Sequence, residues 1–111
     1  MKLNLNHVAI LCIAASTMTP SFAQSAGADT YKAKCAMCHG ADGTGNTPAG
    51  KNLKAASFKD PTIVKAPDAR LIASVKNGKG KMPASIGAKL TDAQVKEVIA
   101  YVRTLQKEQR G

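Results

Sequence analysis

Cys35-Ala36-Met37-Cys38-His39 is the most informative segment of this sequence. Two cysteines separated by two residues and followed at once by a histidine form the attachment pattern of c-type haem. Residues three and four apart share one face of a helix, so Cys35 and Cys38 can reach the two vinyl groups of one porphyrin. His39 follows on the same turn and can offer an imidazole nitrogen to the iron. The segment therefore predicts one covalent haem c, attached at Cys35 and Cys38 and ligated by His39.

Three other interpretations of the motif compete with haem. A thioredoxin-like redox pair has this cysteine spacing, but it belongs to a βαβ context, and no stretch of this chain alternates as a strand. A structural zinc site needs four ligands, and beyond residue 23 the chain has two cysteines and one histidine. A simple disulfide stays open for an exported protein. The specificity of the five-residue pattern, together with an export signal, favours haem.

The first 23 residues have the pattern of a cleaved secretory signal peptide. Lys2 gives a positive start, residues 8–15 are mainly apolar, and Ser21 and Ala23 put small residues at the −3 and −1 positions of a cleavage site. The apolar run is too short to span a bilayer, although an uncleaved anchor is the alternative. We therefore predict export to the periplasm, with a thylakoid lumen as the other compartment, and no stable membrane insertion.

Residues 24–111 are predicted to form one domain, because no repeat or long linker divides them. The chain has no Trp and 4% aromatic residues. A domain of this size is only marginally stable unaided, and a bound macrocycle would fill its interior. The apolar periodicity predicts an all-α fold of three to four short helices with long loops.

Two helices are well marked in the sequence. Residues 68–77 carry apolar positions on one face, and Asn77-Gly78 resembles a left-handed helix end. The last helix opens with a capping box of Thr91 and Gln94, followed by an apolar stripe at helical spacing: Val95, Val98, Ile99, Val102 and Leu105. A further helix is predicted around residues 29–38, loops at 40–50 and 79–89, and a helical turn near 53–58.

The second axial ligand of the iron is predicted by elimination. Beyond the leader two methionines remain, and Met37 lies between the two cysteines, where it should point away from the ring. Met82 lies in a loop rich in Gly and Pro, and Pro83 favours an extended backbone at Met82. An open or water-bound position, or a lysine such as Lys79 or Lys81, is the alternative. Ligation by His and Met leaves no free position for substrate and favours electron transfer over catalysis.

The sequence from Gly27 to Leu105 resembles the small monohaem class I cytochromes c, of the bacterial periplasmic and thylakoid-lumen type. Gly27 and Tyr31 match a glycine and an aromatic residue that let the first helix cross the last in this family, and Tyr101 matches an aromatic residue at that crossing. Residues 77–83 resemble the family's methionine loop, and residues 41–45 resemble its loop after the haem motif.

The resemblance implies an electron carrier rather than an enzyme, with Met82 as axial ligand. It also makes Pro48 a candidate for the residue whose carbonyl accepts a hydrogen bond from the other nitrogen of His39, which would fix the ring. Alternatives are a haem subunit fixed in a larger oxidase or dehydrogenase, and a peroxidase or gas-binding protein.

The formal net charge is +9. Nucleic acid is not expected as a partner, since no stacking aromatics accompany the lysines. We name as the lysine ring the residues that would surround the exposed haem edge in a family-like fold: Lys34, Lys76, Lys79, Lys81 and Lys89. Such a ring would steer a monomeric carrier onto acidic patches of redox partners, such as a quinol-oxidising complex, a terminal oxidase, a reductase or a reaction centre.

Overall fold

A computed structural model describes residues 22–108, and the predicted leader lies outside this range except for residues 22 and 23. Within the described range the chain forms helices and no strand, which confirms the all-α prediction. The helices are α1 (Phe22–Lys34), α2 (Ala36–His39), α3 (Pro48–Leu53), α4 (Pro61–Val64), α5 (Asp68–Asn77), α6 (Ala84–Ala88) and α7 (Asp92–Glu108). They outnumber the predicted three to four because α2, α3, α4 and α6 have only four to six residues each.

Helix α1 crosses α7 at close range. A Cβ atom on Gly27 would collide with the backbone carbonyl of Glu97, so only glycine allows this approach. Next to the crossing, the rings of Tyr31 and Tyr101 lie with centroids 5.2 Å apart. The three residues that carried the family resemblance at this crossing therefore meet there.

Helix α7 organises the interior. Its capping box forms as predicted: the Thr91 N–H donates to Gln94 Oε1 at 2.9 Å, and the Gln94 N–H donates to Thr91 Oγ1 at 3.1 Å. All five residues of the predicted apolar stripe are buried. Burying a side chain of this kind contributes roughly 1.5–3 kcal/mol relative to exposure, so this helix supplies much of the stability.

The stripe divides between two clusters. Val98, Val102 and Leu105 pack with Tyr31 and Cys35. Val95 and Ile99 pack with Val75 of α5. Helix α7 therefore packs against both the cluster that contains Cys35 and the cluster that contains Val75 of α5.

Helix α5 matches its predicted bounds, and Gly78 ends it with φ 76° and ψ 164°. This conformation suits glycine but lies outside the left-handed helical region that we predicted. Helix α6 was missed, because the Gly- and Pro-rich sequence around it indicates a loop. It packs so closely on α5 that a Cβ on Gly87 would collide with the Val75 carbonyl.

The segment between α3 and α5 differs from the prediction. Residues 53–58 do not form a helical turn, since α3 ends at Leu53 and Lys54 adopts a left-handed conformation with φ 55°. The backbone then runs past the loop that follows the haem motif, where the Phe58 N–H donates to the Gly43 carbonyl at 2.8 Å. This contact joins two loops that are remote in sequence, which local propensity does not predict.

Among residues 22–108, no helix combines the length and the hydropathy that crossing a membrane requires.

Candidate haem site

The motif residues lie on one helical turn at the junction of α1 and α2. The Cys35 N–H donates to the Tyr31 carbonyl at 2.8 Å, which continues the hydrogen bonding of α1. The Cys35 carbonyl accepts from the N–H groups of Cys38 at 3.2 Å and His39 at 2.9 Å. Cys35 is buried, Cys38 is half-buried, and Met37 is 79% exposed. The turn thus directs both cysteines inward and leaves Met37 in solvent.

The two motif cysteines are free thiols rather than a disulfide. Burial, together with the smaller effect of the neighbouring Cys38, raises the pKa of the Cys35 thiol to about 11. The nucleophilic cysteine of a dithiol redox protein needs a lowered pKa, so this environment does not resemble a thioredoxin-like site. Within residues 22–108 no group of three His, Cys, Asp or Glu side chains is placed to hold a metal ion.

His39 is held in two directions. Its Nδ1 atom lies 3.0 Å from the Ala56 carbonyl oxygen. The ring stacks on Phe58, with centroids 4.6 Å apart and planes at 21°. Burial lowers the pKa of His39, although the hydrogen bond to Ala56 opposes the shift. The imidazole is therefore neutral at pH 7, which is the ligating form, and the bond at Nδ1 leaves Nε2 for a metal.

The predicted partner of His39, Pro48, is not the one in the structure. Pro48 is the first residue of α3, where its fixed φ favours helix initiation and its carbonyl is directed along the helix. The carbonyl that meets the histidine belongs to Ala56, beyond α3. The family resemblance implied the wrong residue because the chain forms one short helix, α3, before it returns to the haem motif.

Thr47 was missed in the sequence analysis. Its Oγ1 accepts from the Gly50 N–H at 2.8 Å and caps α3, and it lies 2.7 Å from the Met37 carbonyl oxygen. A threonine directly before a proline is a helix-start signal, so this residue could have been identified. It fastens α3 to the turn that carries the cysteines.

Met82 lies at the end of a tight two-residue hairpin. Lys79 and Met82 exchange backbone hydrogen bonds of 3.1 and 3.0 Å. Gly80 has φ 59°, and a Cβ on Gly78 would come within 2.8 Å of the Met82 carbonyl oxygen, so both glycines are needed. The half-buried Met82 side chain packs against the cluster of Val75, Val95 and Ile99. The hairpin therefore turns this thioether toward α7.

The donor atoms fit haem c. Two free thiols and a neutral imidazole lie on one turn that packs on one cluster of α7, and a thioether packs on the other cluster of the same helix. Thioether attachment through two cysteines, with axial His and Met, is a donor set of c-type cytochromes.

The lysine ring is exposed, but its members differ. Lys76 Nζ lies 2.6 Å from Asp92 Oδ1, and both side chains are solvated. Lys76 lowers the pKa of the Asp92 carboxyl by its hydrogen bond and its charge. This pair joins α5 to the start of α7 and offsets one positive charge of the ring.

Comparison with known proteins identifies the family of this chain. The family model described as cytochrome c oxidase, cbb3-type, subunit III matches residues 22–102. Cytochrome c6 of Leptolyngbya boryana is 39% identical over 89 residues, covering 78% of this chain and 95% of that protein. The cbb3-type cytochrome c oxidase subunit FixP of Azorhizobium caulinodans is 33% identical and covers 90% of this chain, which spans 32% of FixP.

A solved structure, the KustC0563 c-type cytochrome, superimposes with a TM-score of 0.64 and 33% sequence identity. The match covers 72% of this chain and 96% of that one. The fold and the site define a c-type cytochrome, a protein with covalently bound haem c. The chain belongs to the cytochrome c family as a small monohaem class I member, and it transfers electrons rather than acting as an enzyme.

Proposed function

We propose that this protein is a periplasmic carrier of single electrons, with haem attached to Cys35 and Cys38 and ligated by His39 and Met82. The observation that carries the proposal is the turn at residues 35–39, where two inward-facing thiols stand beside an imidazole whose Nδ1 is already held by Ala56. When bound, the haem iron supplies a centre that accepts and releases one electron.

The chain's own residues supply the surroundings of this centre. Cys35 fastens one edge of the site into the cluster of Tyr31 and Val98. His39 is kept neutral and oriented, and the Met82 hairpin presents a thioether from the opposite part of the sequence. Two protein ligands that stay in place in both oxidation states limit structural change during electron transfer.

The covalent attachment and the leader are tested together by the mass of the protein purified from a periplasmic extract. We expect the mass of residues 24–111 plus one haem. The variant Cys35→Ala should retain at most one thioether bond, which shifts the pyridine haemochrome band. A mass that includes residues 1–23 would refute the cleaved leader, and a haem-free mass would refute attachment.

The role of Met82 is tested by ligand binding to the reduced protein. Met82→Ala should open the iron to carbon monoxide and lower the reduction potential, because a thioether favours reduced iron. Met37→Ala is the matched control: this methionine is 79% exposed and should leave both properties unchanged. If Met82→Ala remains closed to carbon monoxide, another residue is the ligand, and Lys79 and Lys81 are next to test.

For partners, we propose acidic docking patches on redox complexes. The solvated lysine ring supports this proposal: Lys79 and Lys81 lie in the Met82 hairpin, and the exposed Lys89 ends α6. Exposed charges attract over roughly a Debye length of 8–10 Å at physiological salt, so electron transfer to the partner should slow as salt increases. Lys81→Glu should remove part of this salt dependence. Lys65→Glu is the control, because Lys65 follows α4 and is not part of the lysine ring, and it should leave the salt dependence unchanged. A rate that is flat or rising with salt would contradict basic docking.

A second candidate function is a haem subunit fixed within a larger oxidase. The family match over residues 22–102 and the likeness to FixP favour it. Fractionation of the cells without detergent separates the two functions: a free carrier is recovered from the periplasm as a monomer, and a subunit fixed in a membrane oxidase stays in the membrane fraction.

A further inference from the structure

We propose that Phe58 is a positioning residue for His39 and that it sets the reduction potential through the orientation of the imidazole. The inference rests on the proposed role of His39 as iron ligand. It starts from the contact between the two rings, which stack at 4.6 Å with planes at 21°. No feature of the sequence around Phe58 indicates this contact.

Two restraints of different direction act on the His39 ring. The Ala56 carbonyl holds Nδ1 at 3.0 Å, a contact in the plane of the ring. The face of the Phe58 ring packs against the face of the His39 ring, and this contact opposes rotation of the imidazole about its Cβ–Cγ bond. Because Ala56 and Phe58 are two residues apart, one short segment controls both the rotation of the ring and its hydrogen bond.

The backbone of Phe58 is fixed at both of its polar groups. Its N–H donates to the Gly43 carbonyl at 2.8 Å, in the loop that follows the haem motif. Its carbonyl accepts from Nε2 of Gln106 at 3.0 Å. Gln106 is a buried polar residue with 7% exposure, and both polar atoms of its side-chain amide are hydrogen-bonded.

The Gln106 amide is itself oriented by Arg103, one turn earlier on α7. Arg103 Nη1 donates to Gln106 Oε1 at 3.1 Å, which directs the NH2 group of the amide toward Phe58. Arg103 also donates to the carbonyls of Ile63, Val64 and Ala66, around the end of α4. Helix α7 thus holds the chain at Phe58 and again at residues 63–66, on the C-terminal side of the segment that contacts His39.

A change in this segment alters the iron through the histidine. A hydrogen bond from Nδ1 to a carbonyl raises the basicity of the imidazole and stabilises the oxidised iron. If the segment loosens, the bond weakens and the oxidised state loses stability relative to the reduced state. The reduction potential should therefore rise when Phe58 or its anchor is removed.

The experiment compares five variants of the holoprotein: Phe58→Leu, Phe58→Tyr, Gln106→Leu, Tyr101→Leu and Gln94→Leu. The last two are matched controls. Tyr101 belongs to the same aromatic cluster but contacts Tyr31 rather than His39, and Gln94 lies on α7 but caps its first turn. The readouts are the midpoint potential and the hyperfine shifts of the haem methyl groups in the oxidised protein, which follow the orientation of the imidazole plane.

Phe58→Leu should raise the midpoint potential and change the order of the haem methyl shifts. Phe58→Tyr should keep the wild-type values of both because it retains the aromatic ring. Gln106→Leu should move both readouts in the same direction by a smaller amount. The controls should lower the melting temperature and leave both readouts at wild-type values. Gln106→Leu keeps the Phe58 side chain and removes only the hydrogen bond to its backbone carbonyl, so this variant still tests the proposal if Phe58→Leu does not fold.

The proposal is overturned if Phe58→Leu and Gln106→Leu keep the wild-type methyl pattern and potential, or if the controls shift them equally. This outcome differs from failure of the proposed function. If the proposed function is wrong, the wild-type protein itself lacks the low-spin spectrum of a six-coordinate haem, whatever the variants show.

Discussion

Gly27→Ala tests the crossing of α1 and α7 that brings Tyr31 and Cys35 against the last helix. In an ordinary helix interior this change stabilises by about 1 kcal/mol, because alanine has the higher helix propensity. Here the new Cβ would collide with the Glu97 carbonyl and lie 3.4 Å from Tyr101 Cβ. The carbonyl is backbone and cannot rotate aside, so the helices must separate.

Overpacking of a close contact typically costs about 1–3 kcal/mol, and a backbone obstacle places this case at the upper end. After the propensity gain is subtracted, we expect a net loss of about 2 kcal/mol. For a domain of this size that corresponds to a fall in melting temperature of roughly 8–16 °C. Thermal unfolding of the holoprotein, followed by far-ultraviolet circular dichroism, measures it.

Ala33→Gly supplies the control on the same helix. Ala33 is exposed, so its replacement measures the propensity term of α1 alone and should cost about 1 kcal/mol. If Gly27→Ala instead raises the melting temperature by the same increment that Ala33→Gly removes, the helices are not in backbone contact at Gly27, and the packing described for α1 is wrong.

Three other predictions follow from individual residues. Arg103→Lys should lose about 2–3 kcal/mol in denaturant unfolding, since an ammonium cannot serve the carbonyls that the guanidinium reaches, while exposed Arg70→Lys should be neutral. Lys54→Gly should gain about 1 kcal/mol by relieving its left-handed backbone, whereas Lys51→Gly within α3 should lose stability. The pKa values of Asp60 and Asp92 are lowered, by Thr62 and Lys76 respectively, so their contribution is present above the unfolded value of about 3.9 and is lost as the pH falls through the folded values. Asp60→Asn and Asp92→Asn should each flatten the acid limb of a stability–pH curve, and an unchanged limb would contradict the assigned partners.

Helices α5 and α7 follow from the sequence because their signals are local, whereas α1 spans Phe22–Lys34 rather than the predicted residues 29–38. The capping box at Thr91 and the buried positions from Val95 to Leu105 occur within one continuous periodic segment, and α5 shows its bounds in the same way. Helices α3 and α6 were not recognised, because each has about one turn and glycine-rich surroundings. For so few residues, tertiary contact outweighs propensity.

The haem motif is likewise recognisable from five consecutive residues. The residues that contact the His39 side chain cannot be identified in this way. Its hydrogen-bond partner lies 17 residues away, and the amide that anchors Phe58 lies 48 residues beyond that phenylalanine. Contacts at such separations depend on how α7 packs. The family resemblance supplied Gly27, Tyr31 and Tyr101 correctly, but it also implied Pro48 as the partner of His39, where the structure has Ala56.

The proposed electron transfer requires a six-coordinate iron held between His39 and Met82. The near-infrared absorption spectrum of the oxidised protein tests it most directly. We expect the weak sulfur-to-iron charge-transfer band of a methionine-ligated haem in the wild type and in Met37→Ala, and its loss in Met82→Ala. A wild-type spectrum without this band, and with the features of high-spin iron, would show that the iron is not six-coordinate with Met82 as a ligand.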